Sequence, residues 1–294
     1  MKFITFFCLL FAFQLASAQT KVILSDKSTR EAVAYASIRV NNKANYYSNE
    51  EGKAEIALYI GDTLLIESLG YQKLCYVVVK EQDILLLEME ASHIMLKEVS
   101  IIGNTLEKYE QVGFYKPKIS KKQSIGLSLF VYSELAVHIV DKKLAGHHIK
   151  NICINLKKGD NYQSVIKIFL YEATGNQPGA LISTREITFK EADIENNGIK
   201  LNIEDMQLLF PAEGLFVSLQ TIGFIEEKSG LIREASFFSK EQKKHSATTQ
   251  LALDKNVHNA SIYKRNSPKS GWIPYVIFHG KRPEAAPMIG LELE

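Results

Sequence analysis

Apolar and polar positions alternate along most of this chain with a period of two. Ala34, Ala36, Ile38 and Val40 interleave with Tyr35, Ser37 and Arg39, the pattern of a half-buried strand. Residues 64–69, 74–79 and 84–89 form further strand-like runs, and turn residues separate them: Asn41-Asn42, Ser48 to Gly52, Gly61-Asp62 and Gly70. Short strands at this spacing, with no helical stretch between them, predict an antiparallel β-sandwich over residues 19–102.

Residues 103–125 break the pattern. They are rich in Lys, Gly, Asn and Gln and read as a linker, with one helical turn expected around 106–111. Alternation returns over 126–294. Leu129, Val131, Leu135, Val137 and Ile139 predict one face of a long strand. Ile152, Ile154 and Leu156 predict a second strand, and Ile166, Ile168 and Leu170 a third with Phe169 and Tyr171 on its other face. Turns are expected at Gly159-Asp160 and 175–179, and strands at 181–189, 199–203 and 215–222. Residues 240–269 read as long loops around one or two weak strands, with closing strands at 272–278 and 288–293. The whole is an all-β pattern whose second body is large enough for a jelly-roll-like double sheet.

The first eighteen residues stand apart. Met1 and Lys2 precede an apolar run from Phe3 to Leu15, and Ala16-Ser17-Ala18 follows as a small-x-small cleavage site. This is the layout of a secretory signal peptide over 1–18, with a mature chain beginning at Gln19. The run is shorter than the ~20 apolar residues of a membrane span. Cys8 lies inside it, so no lipid anchor is expected. No later segment has the length and apolarity of a transmembrane helix. The chain is therefore expected to be exported, to the periplasm, the outer-membrane surface or the medium.

Charge adds little. The 294 residues carry 35 Lys and Arg against 33 Asp and Glu, a net charge of +2. The basic residues are scattered, so no nucleic-acid partner is expected. Lys121-Lys122 and Lys243-Lys244 read as solvated surface. Past the leader only Cys75 and Cys153 remain, one in each expected domain, which predicts two unbridged thiols.

Residues 22–79 resemble the carboxypeptidase regulatory-like domain, a small transthyretin-like β-sandwich. The resemblance rests on Asp26 after the first strand, Ala34-Tyr35-Ala36-Ser37-Ile38, the turn Asn49-Glu50-Glu51-Gly52-Lys53, Asp62-Thr63-Leu64 and Ser68-Leu69-Gly70-Tyr71. Leu96-Lys97-Glu98-Val99 resembles the segment that follows such domains. Leu24 and Ala54 stand where the family usually has a glycine and an aromatic residue. The resemblance implies a transthyretin-like β-sandwich followed here by the larger jelly-roll-like one. It also implies a secreted protein of the type found in Bacteroidota, where the module stands at the front of TonB-dependent transporters. Residues 166–171, 175–179 and 211–219 resemble a second β-sandwich domain that follows the module in such secreted proteins. The module is an accessory in unrelated proteins, so no activity transfers with it.

The motifs of common chemistries are missing. No His-Glu-x-x-His or His-x-x-Glu occurs, and three residues after His138, His147 and His148 stand Asp141, Lys150 and Asn151. Neighbouring side chains of a strand point to opposite faces, so His147-His148 is a poor chelate. Gly-x-Ser-x-Gly and a phosphate-binding glycine loop are also missing. Cys153 shares a strand face with Asn151 and Asn155 and reads as a structural thiol. The turn at 49–52 has Tyr47 and Leu58 where a calcium loop needs carboxylates. No catalytic residue, metal or cofactor is expected.

Aromatic residues are the remaining candidates for ligand binding. Tyr46 and Tyr47 precede a turn, and Trp272 and Tyr275 lie near the end of the sequence. Exposed rings of this kind stack on sugars and anchor protein contacts, although a lone Trp in a sandwich is more often core. The reading favoured is a non-catalytic envelope protein that binds an envelope protein or a glycan. A hydrolase working through loops of the second domain and an accessory partner of a TonB-dependent uptake system are the alternatives.

Overall fold

The computed structural model describes residues 19–92, 109–118, 124–129, 131–157, 163–234, 249–257, 260–267, 270–277 and 285–294. The leader with Cys8, the segment 96–99, Lys121-Lys122, Gly159-Asp160, Lys243-Lys244 and Phe278 lie outside them. Two compact units divide between Ser92 and His93. The described residues contain strands and three short 3-10 turns, at 142–144, 191–193 and 204–206, and no α-helix. None of their helical segments is long and apolar enough to cross a membrane.

The first unit contains β1 (Gln19–Asp26), β2 (Ser37–Val40), β3 (Ala44–Tyr47), β4 (Lys53–Ala57), β5 (Thr63–Glu67), β6 (Leu74–Val77) and β7 (Ile84–Met89). They form a three-stranded sheet, β4-β1-β7, and a four-stranded sheet, β3-β2-β5-β6. Period-two burial supplies the core between them. Val22 and Leu24 of β1, Ile38 of β2, Ile56 of β4, Leu64 and Ile66 of β5 and Leu87 of β7 meet there. β2 is shorter than its alternation suggests, because Tyr35 takes a φ of 57° and breaks the extended run before Ser37. Gly52 has φ 72°, and a Cβ there would run into the carbonyl oxygen of Leu24. Asn49 organises the same turn: its Oδ1 accepts from the N–H groups of Glu51 at 3.0 Å and Lys53 at 2.9 Å.

The second unit begins with β8 (Glu110–Gly113), β9 (Ser124–Ser128), β10 (Glu134–Ile139), β11 (Ile149–Lys157), β12 (Ser164–Thr174), β13 (Gln177–Leu181), β14 (Ile187–Lys190) and β15 (Gly198–Asn202). It continues with β16 (Leu215–Ile225), β17 (Ile232–Arg233), β18 (Gln250–Asp254), β19 (Ile262–Arg265), β20 (Ile273–Pro274), β21 (Ala286–Pro287) and β22 (Ile289–Leu293). One sheet runs β13-β12-β16-β10-β19-β20, with β14 on β12 and β17 on β16. The other runs β21-β18-β11-β22-β8, with β15 on β11 and β9 on β18. Their inner faces share one apolar core that includes Val137, Ile152, Ile154, Ile168, Leu219 and Leu291. Both units are thus all-β sandwiches.

Several sequence expectations need correction. The segment 103–125 is not all linker: β8 pairs with β22, and Val112 faces Leu291. The long strand expected over 129–139 shortens to β10, which begins at Glu134, while β9, a strand of the other sheet, already ends at Ser128. β9 pairs with β18 and β10 with β16 and β19, and Tyr132, at φ 66°, lies between them. The run 181–189 is likewise split, with β13 and β14 pairing in turn with the one long strand β12. The closing strand at 272–278 shrinks to the two residues of β20. For 129–139 and 181–189, alternation marks residues that are buried, such as Leu129, Leu135, Val137, Ile187 and Phe189, while a turn or bend between them sets the strand ends.

Candidate functional site

A cleft of about 590 Å³ lies along the side of the second unit. One wall is the chain from β14 to β15. After β14 a 3-10 turn forms at Glu191–Asp193, and the Asp193 carboxylate accepts from the Lys190 N–H at 2.7 Å. Asn196 and Asn197 follow with φ 47° and 65°. Asparagine tolerates the left-handed region, and two such residues in succession make the tight turn of a hairpin. Glu195 and Gly198 close it with two backbone bonds: Gly198 N–H to Glu195 O at 2.8 Å and Glu195 N–H to Gly198 O at 2.9 Å.

The other wall is a strap that follows β8. Gly113 turns with φ 96°, and the Phe114 N–H donates to Ile289 O at 2.7 Å. Tyr115 then lies across Gly290, where an added Cβ would approach the Tyr115 Cβ to 2.9 Å. Its ring reaches over Gly198, 3.8 Å from where a side chain would start. Asn155 holds the strap: Lys116 N–H donates to its Oδ1 and its Nδ2 donates to Lys116 O, each at 2.9 Å. Lys116 also forms an ion pair with buried Asp254.

Four consecutive residues of β15, Gly198 to Leu201, line the cleft. Side chains of a strand alternate between faces, so a cleft that touches every residue in turn runs along the strand's edge. β15 pairs with β11 on one side, and among the described residues no strand lies against its other side. Ile203 N–H donates to Lys150 O at 2.9 Å, and Leu156 N–H donates to Asn197 O at 3.0 Å. Odd-numbered residues therefore turn their backbone groups toward β11. Gly198 bonds Glu195 on the opposite side, so the N–H and C=O of Lys200, two residues on, point away from β11 toward the cleft.

Beneath the strap, on the outer face of the same sheet, Glu292 accepts from Lys200 Nζ at 2.6 Å and from Asn151 Nδ2 at 2.9 Å. The hydrogen bond to Glu292 pushes the Lys200 ammonium up. Burial, then the nearby Glu292, pushes the Cys153 thiol up to about 12, so this thiol stays protonated and unreactive near neutrality. Burial, Cys153 and Glu292 together raise the Tyr115 hydroxyl. Asp193 and Glu195 are exposed at the cleft. No group of three or more His, Cys, Asp or Glu among the described residues is placed to hold a metal ion.

A second polar cluster lies on the outer face of the eight-stranded sheet. The buried Glu134 carboxylate accepts from Tyr171 OH at 2.9 Å, Ser218 Oγ at 2.5 Å and Arg265 Nε at 2.7 Å. The Arg265 guanidinium stacks 4.4 Å from the centre of the Trp272 ring, which meets Tyr171 edge-on at 5.5 Å. Burial and Glu134 push the Tyr171 hydroxyl upward. Both oxygens of the Glu134 carboxylate are engaged and the residue is 1% exposed, the arrangement of a structural cross-link.

The candidate residues named from sequence fall apart in the structure. Tyr47 is buried, 5% exposed, and Tyr46 packs against the core of the first unit. Trp272 is half-buried, outside the main core, in the Arg265 cluster. Tyr275 packs on the core of the second unit, with Lys264 Nζ 4.4 Å from its ring centre. His147 sits in a turn, its Nδ1 3.0 Å from Leu144 O, while His148 bridges to Leu209. Cys75 and Cys153 are both unbridged. The cleft residues Tyr115, Asp193, Glu195 and Lys200 were missed. Tyr115 falls in the expected linker, and the one local signal at the others is the Asn196-Asn197-Gly198 turn.

The fold defines the class as a two-unit, all-β chain of sandwich type. No protein-family model matches the chain, and neither does any curated protein.

Proposed function

We propose that the chain is an exported, non-catalytic cell-envelope protein that binds an envelope protein or a glycan through its second unit. The first unit, which resembles the carboxypeptidase regulatory-like module, serves as a rigid spacer or docking module. One observation carries the reading: an open cleft of about 590 Å³ lined by an aromatic ring, amide groups and a strand edge, the mixture that orients a bound partner. Two carboxylates line the same cleft, which is the feature a hydrolase reading needs. General acid catalysis wants one of such a pair shielded from water, and both are exposed.

The test has two arms. N-terminal sequencing of the protein recovered from an envelope fraction is expected to begin at Gln19. The purified chain is expected to retain a partner from envelope extracts or on a glycan array. Retention of nothing in either format rejects the reading.

A further inference from the structure

We infer that the open edge of β15 is a strand-addition site that takes an extended peptide segment bearing a lysine or arginine. This rests on the reading of the chain as a binding protein and names the partner's chemistry. The backbone is the first ground. Glu195 forms one antiparallel rung with Gly198 on the edge facing away from β11, at 2.8 and 2.9 Å. The ladder then stops, because the chain before Glu195 turns back through Glu191–Asp193. The next rung position is Lys200, whose N–H and C=O face the cleft. A peptide residue opposite it exchanges two backbone bonds in an antiparallel pair. Beyond the Gly198 rung the strand runs on through 199–202, about 13 Å, enough for four residues of an added strand.

The side walls are the second ground. An added strand sends alternate side chains to opposite faces, and strand-addition sites read them with separate pockets. Here Phe189, Ile199 and Leu201 line the cleft on the core side, and Tyr115 and Pro117 on the strap side. Charge is the third. Asp193 and Glu195 line the cleft, and no cation among the described residues forms an ion pair with either, whereas Lys200 is already engaged by Glu292 at 2.6 Å. The uncompensated charge is negative, which selects a basic residue near one end of the peptide.

The probe is a random dodecapeptide phage library panned on the purified chain. Selected peptides are expected to be rich in strand-forming residues, to carry Lys or Arg, and to bind more weakly as salt rises. Lys200→Ala keeps the edge N–H, and Lys200→Pro removes it without touching the ladder to β11. Affinity is expected to fall about tenfold or more between the two. N-methylating the selected peptides' backbone amides gives the same loss with the protein unaltered, which covers a poorly folded proline variant. Asp193→Asn with Glu195→Gln is expected to flatten the salt dependence.

Failure to select any peptide overturns the inference, as does equal binding by both Lys200 variants together with indifference to N-methylation. Oligosaccharide binding that Tyr115→Ala abolishes also overturns it, while leaving the proposed binding function standing. Only the absence of every partner, peptide, protein and glycan alike, removes both.

Discussion

The side chain of Asn155 meets the backbone of Lys116 as a second strand would, donating to its carbonyl and accepting from its N–H at 2.9 Å each. Asn155 is 3% exposed, so the pair substitutes for water that cannot reach it. Asn155→Ala leaves both Lys116 groups without their partner and is expected to lower the stability of the second unit by about 1–3 kcal/mol. Asn155→Asp keeps the acceptor but sets a carboxylate against a carbonyl oxygen, and should do at least as much harm. The chain has one tryptophan, in the second unit, so urea unfolding followed by its fluorescence measures the loss. A midpoint unchanged from wild type would show that the strap needs no pin.

Glu134 and Arg265 pose a different case, a buried charge pair. Removing only the cation by Arg265→Met strands the carboxylate and is expected to cost about 3–5 kcal/mol. The double variant Glu134→Gln, Arg265→Met should recover most of it, since a neutral amide oxygen still accepts from Tyr171 and Ser218. Unfolding midpoints of the three proteins decide the matter. If the single variant is as stable as wild type, the pair is not energetically coupled.

The two thiols should separate cleanly. In a Cys8→Ser background at pH 8, exposed Cys75 is expected to react promptly with dithiobisnitrobenzoate and buried Cys153 only after unfolding. The Cys153 thiol is held at about 12, against an ordinary 9.0. Its raised value means that the folded chain keeps a proton that the unfolded chain releases between these limits. Its contribution is therefore complete below pH 9 and lost as pH rises to 12, at most about 4 kcal/mol over the window. Cys153→Ala should show a shallower alkaline decline than wild type. Parallel declines would contradict the assignment.

Gly52 and Gly61 offer a paired test in the first unit. Both have positive φ, 72° and 92°, but an added Cβ meets the Leu24 backbone at Gly52 and nothing within 4 Å at Gly61. Gly52→Ala is expected to cost more than Gly61→Ala, roughly 2–4 against 1 kcal/mol. Hydrogen exchange at β1 and β4 reads the difference. Equal protection in the two variants would mean that the turn accommodates the methyl group.

Strands that carry their own alternation are legible in the sequence. β7 spans the same residues, 84–89, that its pattern marks, and the interleaved apolar residues of β11 and β12 lie in the core. β8 was hidden because one of its four residues, Val112, is buried, and its partner strand lies far along the chain. The cleft was hidden for a related reason. Tyr115 gains its place from glycines at 198 and 290, and Glu134 meets Arg265 across 131 residues. Such meetings depend on register between distant strands, which hydrophobic periodicity does not encode.

β22 sits between β11 and β8, with Leu291 opposite both Ile152 and Val112. A ribosome makes this middle strand after every neighbour it joins. Until residues 289–293 emerge, β8 and β11 are held apart with their facing edges bare, so the sheet cannot zip outward from its centre as the nascent chain lengthens. Closure of the second unit is therefore a late, long-range event, and the waiting edges are where a newly made chain is most open to pairing with the wrong strand.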